Sequence, residues 1–170
     1  MRRLAGWVAG LSVTLSLNPH APAADASFEP LRLRLDPQFV LAQVAQRMGV
    51  TLHPEVAPPT VLLESVIPLA QFRDAITVQW GFRPHVFGNA YAVARNEIYL
   101  IDDPAYYARL RRTIDESLVH ELAHYVQVKY LNADLAVPEW EQDAIAVQTW
   151  FRNLHIRTRA AELGHHDDGG

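Results

Sequence analysis

The residues of this chain best suited to chemistry are His120-Glu121-Leu122-Ala123-His124. Inside a helix, positions four apart share a face, so the two imidazoles can reach one metal ion. Glu121 follows the first histidine by one position and precedes the second by three, which brings its carboxylate out beside that ion rather than behind the helix. A general base stands there to take a proton from water activated by the metal. Random placement of the chain's histidines and glutamates yields this pattern in only about 2% of such sequences.

Two histidines alone hold zinc weakly, and a catalytic site takes three protein ligands with one position left open. The chain has no cysteine. Thiolate ligands are therefore excluded, along with disulfide frameworks, thiol catalysis and CxxC redox chemistry, and the remaining ligand must be a carboxylate. The acidic run Glu139-Trp140-Glu141-Gln142-Asp143 opens the next predicted helix after a short link, so it can fold back beside the motif. Glu139 and Asp143 share nearly one face of that helix, and Glu141 lies about 200° from each. The candidates are Glu141, Asp143 and Glu139, against the plainer reading that all three only favour a helix N-terminus through its dipole. His155 lies about 21 Å along the same helix from Glu141, too far to join the metal. Tyr91, Tyr99, Tyr125 and Arg159 are weaker candidates for stabilising an oxyanion. His165-His166-Asp167-Asp168 reads as a solvated tail, and Arg109, Arg111 and Arg112 as an exposed face.

These residues need elements to position them. Pro30–Leu35 alternates leucine with arginine, the period of a half-exposed strand. A helix is predicted next, with Asp36 as cap, Pro37 first, Leu41, Val44, Ala45 and Met48 as its apolar stripe, and Gly49 as its stop. Val50–His53 and Val61–Val66 read as short strands. A second helix runs from about Pro68 to Trp80 and ends at Gly81. Tyr91–Ala94 and Glu97–Ile101 form a hairpin about Arg95-Asn96. Asp103-Pro104 opens a helical segment, and the capping box Thr113-x-x-Glu116 starts the motif helix, which continues to about Leu131. Ile114, Leu118, Leu122 and Tyr125 make its core stripe, apart from the face carrying His120 and His124. The last helix spans about Pro138–Leu154, with Trp140, Ala144, Val147, Phe151 and Leu154 turned inward.

Composition narrows the function further. At 49% hydrophobic and 20% charged, 170 residues suit one compact domain. A formal charge of -4, with one lysine (Lys129) against fourteen arginines, offers no basic field for nucleic acid. No Gly-x-Ser-x-Gly elbow, P-loop or Gly-x-Gly-x-x-Gly fingerprint is present. Met1-Arg2-Arg3, an apolar run from Leu4 to Leu17, and Ala24-Asp25-Ala26 have the form of a secretory signal cleaved after Ala26, or alternatively after Ala23. The domains expected are thus a signal at 1–26, one folded unit at 27–156 and an unstructured tail at 157–170. The mature protein would carry a charge of -5, retain no stable membrane span, and reside in a periplasm or outside the cell.

His120-Glu121-x-x-His124, followed by Glu141-x-x-Ala144 and preceded by the strand Asn96-Glu97-Ile98-Tyr99-Leu100, resembles the minimal gluzincin type of zincin-like metallopeptidases over roughly residues 88 to 154. The resemblance implies zinc on His120, His124 and Glu141, with Glu121 as catalytic base and the preceding strand bordering the substrate cleft. Relatives with a Glu-x-x-x-Asp pattern would point instead to Glu139 and Asp143. The fold expected is α+β: a small N-terminal α/β portion and a hairpin leading into the motif helix, which packs on the C-terminal helix. The function expected is an exported zinc peptidase acting on a peptide or protein, with the strand Glu97–Ile101 pairing with an extended substrate. The alternatives are a non-catalytic, zinc-stabilised binding module of the cell envelope and a periplasmic metal carrier. Residues 27–87 fall outside the resemblance.

Overall fold

Side-chain caps and left-handed residues set most helix ends in the computed structural model, which describes residues 29–164. Helix α1 spans Pro37–Arg47, and Asp36 Oδ1 accepts the amides of Gln38 at 2.9 Å and Phe39 at 3.0 Å. Its far end is a Schellman motif, in which the Val50 amide donates to Ala45 O at 2.9 Å and the Gly49 amide to Gln46 O at 3.1 Å. Gly49 sits at φ +69°, where an L side chain would be strained, so glycine is what allows the chain to turn back there. Helix α2, Leu69–Trp80, ends on left-handed Gly81, whose amide donates to Thr77 O at 3.0 Å, and buries Phe72, Ala75 and Ile76.

Residues 104–131 form two helices rather than one. Helix α3 is Pro104–Leu110, capped by Asp103, and left-handed Arg111 at φ 51° breaks its path before α4 begins at Ile114. Thr113 Oγ1 accepts the Glu116 amide at 3.2 Å, one half of the expected capping box. The Glu116 carboxylate does not reach back to the Thr113 amide; its Oε2 accepts from Arg152 Nε at 2.6 Å and forms an ion pair with a terminal guanidinium nitrogen at 2.6 Å. Helix α4 continues to Leu131 and closes on left-handed Asn132. Helix α5 spans Pro138–Gly164, burying Ala144, Val147 and Phe151. Residues 157–164 are therefore helical and not the unstructured tail expected, because nothing between Glu139 and Leu163 breaks a helix and Ala160-Ala161-Glu162-Leu163 favours one. The expected signal at 1–26, the His165–Asp168 tail and the side chain of Arg159 lie outside what is described.

Three strands complete the α+β fold: β1 Thr60–Leu63, β2 Ala90–Ala92 and β3 Glu97–Leu100, ordered β1-β3-β2. β1 runs parallel to β3 with Thr60 opposite Glu97, and β2 runs antiparallel with Ala92 opposite Glu97. The hairpin turn falls at residues 93–96, with Asn96 left-handed at φ 53°. β1 stops short of the expected Val66 because Glu64–Val66 curl into a 3-10 turn.

Two expected strands are absent. Pro30–Leu35 keeps the predicted alternation, leucines half-buried and arginines exposed, but its amides have side-chain and loop partners. Arg34 and Leu35 donate to Asp115 Oδ1 at 3.0 and 3.1 Å, and Leu31 donates to Asp102 O at 2.8 Å. Val50–His53 is committed elsewhere too, through the Schellman bond at Val50 and a 3.3 Å bond from the His53 amide to the Tyr130 hydroxyl.

Helix α4 is the centre of the molecule. It packs against α5, α1, β2 and β3, and from Ile114 to Gln127 every side chain is buried except the half-buried His120 and His124. The separate core stripe expected of it is thus too narrow a description, since a helix enclosed on all sides is buried all round. Phe72, Ile98, Leu100, Leu118, Leu122 and Tyr125 are among the fully buried side chains, each apolar one worth about 1.5–3 kcal/mol of transfer free energy. Among the described residues, no helix is long and apolar enough to cross a membrane.

Candidate metal centre

The motif lies mid-helix in α4, flanked by buried Val119, Leu122, Ala123 and Tyr125, so its backbone is held rigidly. His120 Nε2 and His124 Nε2 are 3.1 Å apart, with their rings nearly perpendicular. Glu141, in the first turn of α5, reaches across from the neighbouring helix. Its Oε2 lies 3.2 Å from His124 Nε2 and its Oε1 lies 3.5 Å from His120 Nε2. Glu139 and Asp143 are exposed and do not join the group, and His155 packs on Phe151 instead. The helix rotation that buries Ala144 and Val147 is what swings Glu141 toward α4 and turns its two acidic neighbours outward.

The spacing suits a small tetrahedral ion. Bonds of about 2.0–2.1 Å at tetrahedral angles place ligand atoms about 3.3 Å apart. The separations here, 3.1 to 3.5 Å, bracket that value. With one atom from each residue, the three lie within 4.8 Å of one another, so a rotation of the half-exposed Glu141 brings a single oxygen onto both imidazoles. Two imidazoles and a carboxylate form a donor set suited to zinc. Burial, helped by His124 and Arg112 and opposed by Glu141, pushes His120 down to about 4, toward the neutral form that ligates a metal.

A residue outside the motif orients it. Gln127 is fully buried, its Oε1 lies 2.9 Å from His124 Nδ1, and its Nε2 donates to Trp140 O at 2.8 Å. With its amide nitrogen spent on Trp140, Gln127 can only accept from His124, which puts the proton on Nδ1 and leaves the Nε2 lone pair facing His120 and Glu141. The same bond fastens α4 to the turn that carries Glu141. Sequence reading passed over this residue, although its place three positions after His124, on the same helix face, was a usable signal.

Glu121 lines the cleft beside the histidines and is buried. Burial raises its carboxyl above the ordinary range, to about 8; the backbone amide of Tyr91 in β2 bonds it and lowers it, and the negative charge of Glu141 raises it. The three tyrosines are engaged elsewhere. Tyr91 donates to Asn96 Oδ1 at 2.9 Å, Tyr99 to Glu97 Oε2 at 2.6 Å and Tyr125 to Ala57 O at 3.0 Å, so their hydroxyls are not aimed at the site. Arg109, Arg111 and Arg112 are exposed, as their sequence suggests.

The cleft next to these groups has a volume of about 730 Å³ and lies between α2, β2, α4 and the link before α5. Its strand is β2, not the strand expected to border it. β3 is the middle strand, hydrogen-bonded on both sides, and cannot accept a further chain. β2 is the edge, and Tyr91 presents its amide directly to Glu121.

No protein-family model, curated protein or solved structure matches this chain.

Proposed function

We propose that this protein is an exported, zinc-dependent peptidase of the zincin-like kind. The observation that carries the reading is the convergence of His120, His124 and Glu141 at distances suited to zinc, with the buried Glu121 beside them at the wall of a cleft. Export is supported by the leader-like composition of the first 26 residues.

His120, His124 and Glu141 would hold the zinc, and the open side of the site faces the cleft. When bound, the ion polarises the scissile carbonyl and acidifies water. In its ionised form, which a bound cation would favour against the rise that burial causes, Glu121 would take a proton from the attacking water and deliver it to the leaving amine, while the Tyr91 amide holds its carboxylate in place between the two transfers. Gln127 keeps His124 in the tautomer that ligates.

The test compares zinc-loaded wild type with Glu121→Gln on unfolded casein and on a mixed peptide pool. The wild type is expected to cleave, and the variant to retain zinc while losing about 10²–10⁴-fold in kcat/KM. Full zinc occupancy without turnover in the wild type would reject the peptidase reading in favour of a module in which zinc joins α4 to α5. Rapidly exchanging metal would indicate a carrier.

A further inference from the structure

The outer edge of β2 is already occupied. Its inward groups pair with β3, and the amide of Tyr91 bonds Glu121. The next two outward groups are both taken by one side chain: Gln79 Nε2 donates to Tyr91 O at 2.9 Å, and the Val93 amide donates to Gln79 Oε1 at 3.0 Å. A carbonyl at one position and an amide two positions on are the groups that a single residue of a parallel neighbouring strand would bond. The carboxamide of Gln79 imitates the backbone of such a residue. It does so from the last turn of α2, on an exposed side chain that can swing away.

The surrounding cleft has a definite chemistry. Its apolar wall includes Val78 and Trp80 on the α2 side, facing Val128 and Leu135 on the other. Val78 is 92% exposed, which leaves a large apolar surface open at the rim, and Phe82, stacked on Trp80, extends it. An extended chain with apolar side chains fits both the edge and the walls, whereas glutamate side chains in their place give up that apolar contact.

We infer that Gln79 is a built-in competitor for the substrate-pairing edge of β2, and that an extended, apolar peptide displaces it to enter the cleft. The inference rests on the peptidase reading for the identity of the cleft as a peptide site, and on the two hydrogen bonds for the competition. Displacement costs the two bonds to Gln79 and returns them as bonds to the peptide backbone. Gln79 thereby discriminates against side chains or small solutes that cannot replace both.

The test measures binding without turnover, in the zinc-loaded Glu121→Gln background, by fluorescence anisotropy of a labelled Ala-Leu-Phe-Val-Leu-Ala amide and of its Ala-Leu-Glu-Val-Glu-Ala counterpart. Gln79→Ala is expected to tighten the apolar peptide by about 3–10-fold, since about one or two net hydrogen bonds no longer compete. Gln79→Met, which keeps the bulk and removes both bonds, is expected to match it. The glutamate-bearing peptide, which gives up two apolar side chains against these walls, should bind at least about 10-fold more weakly in every variant. Unchanged or weaker binding in Gln79→Ala, or tightening in Ala but not Met, would overturn the competitor role, and equal binding of the two peptides would overturn the substrate class. A Gln79 effect on binding in a protein whose zinc-loaded wild type never cleaves would reject the peptidase reading and keep the gate.

Discussion

Polar side chains are buried at both ends of the enclosed stretch of α4, and the chain satisfies them in different ways. Near the start, Asp115 accepts the amides of Arg34 and Leu35, and Glu116 accepts a hydrogen bond from Arg152 Nε and pairs with its guanidinium charge. Gln148 Nε2 closes the same corner by donating to Glu116 O at 3.0 Å. Each acid there meets donors supplied by the protein itself. One to two turns on, His120, His124 and Glu141 aim acceptor atoms at a common point, and Glu121 lies beside them with the Tyr91 amide as its backbone donor. Among the described residues, no lysine or arginine forms an ion pair with Glu121 or Glu141.

The difference teaches how the same physics serves two ends. A buried carboxylate costs several kcal/mol unless paired, and at Glu116 a guanidinium offsets that cost. At the other end the buried Glu121 and the half-exposed Glu141 have no cationic side chain paired with them among the described residues, and on the proposed reading a metal ion would supply the positive charge. One half of the helix should therefore be indifferent to metal and the other should depend on it.

The largest expected effect falls on the open half. Replacing His120, His124 or Glu141 by alanine should weaken zinc binding by more than about 100-fold, beyond the range for losing an outer hydrogen-bond partner. Glu139→Ala and Asp143→Ala should leave it unchanged. Competition titration with a chromogenic chelator reads both, and a large loss in Asp143→Ala would move the third ligand. Next comes the closed half. Arg152→Met should destabilise the fold by about 3 kcal/mol, the low end for a broken buried pair because Arg152 is partly exposed. Urea unfolding should give that same loss with and without zinc, and a zinc-dependent loss would erase the contrast between the halves.

Gln127→Leu should lower zinc affinity by about 10–100-fold while leaving all three ligands in place. Isothermal titration checks this, and wild-type affinity would remove Gln127 from its orienting role. The smallest effect is expected for Asp115→Asn, about 1 kcal/mol in thermal or urea unfolding, because one acceptor oxygen remains for the Arg34 and Leu35 amides. Zinc affinity should be unaffected by it.

How much of this was legible in the sequence follows from the range of each interaction. Local signals were direct: Asp36 and Thr113 cap their helices, and Gly49, Gly81 and Asn96 take the left-handed conformations their turns need. The pair His120 and His124 depended on helix period alone and was equally plain. Long-range pairing was hidden. Alternation at Leu31, Leu33 and Leu35 correctly marked an extended, half-buried segment, but whether it became a strand depended on Asp115, some eighty positions away. The order β1-β3-β2 is not encoded locally either, so the strand nearest the motif in sequence reads as an edge although it lies in the middle of the sheet. The choice among Glu139, Glu141 and Asp143 needed the rotation of α5 against α4, which packing of Ala144 and Val147 decides.

The central claim is that His120, His124 and Glu141 form a site for one zinc ion. It is tested most directly by purifying the protein after growth with ample zinc, dialysing it, and counting zinc per chain by mass spectrometry for wild type and His120→Ala. The account predicts one zinc per wild-type chain and close to none in the variant at unchanged far-ultraviolet circular dichroism. Wild-type protein without stoichiometric zinc, or a variant that keeps its full complement, would contradict it.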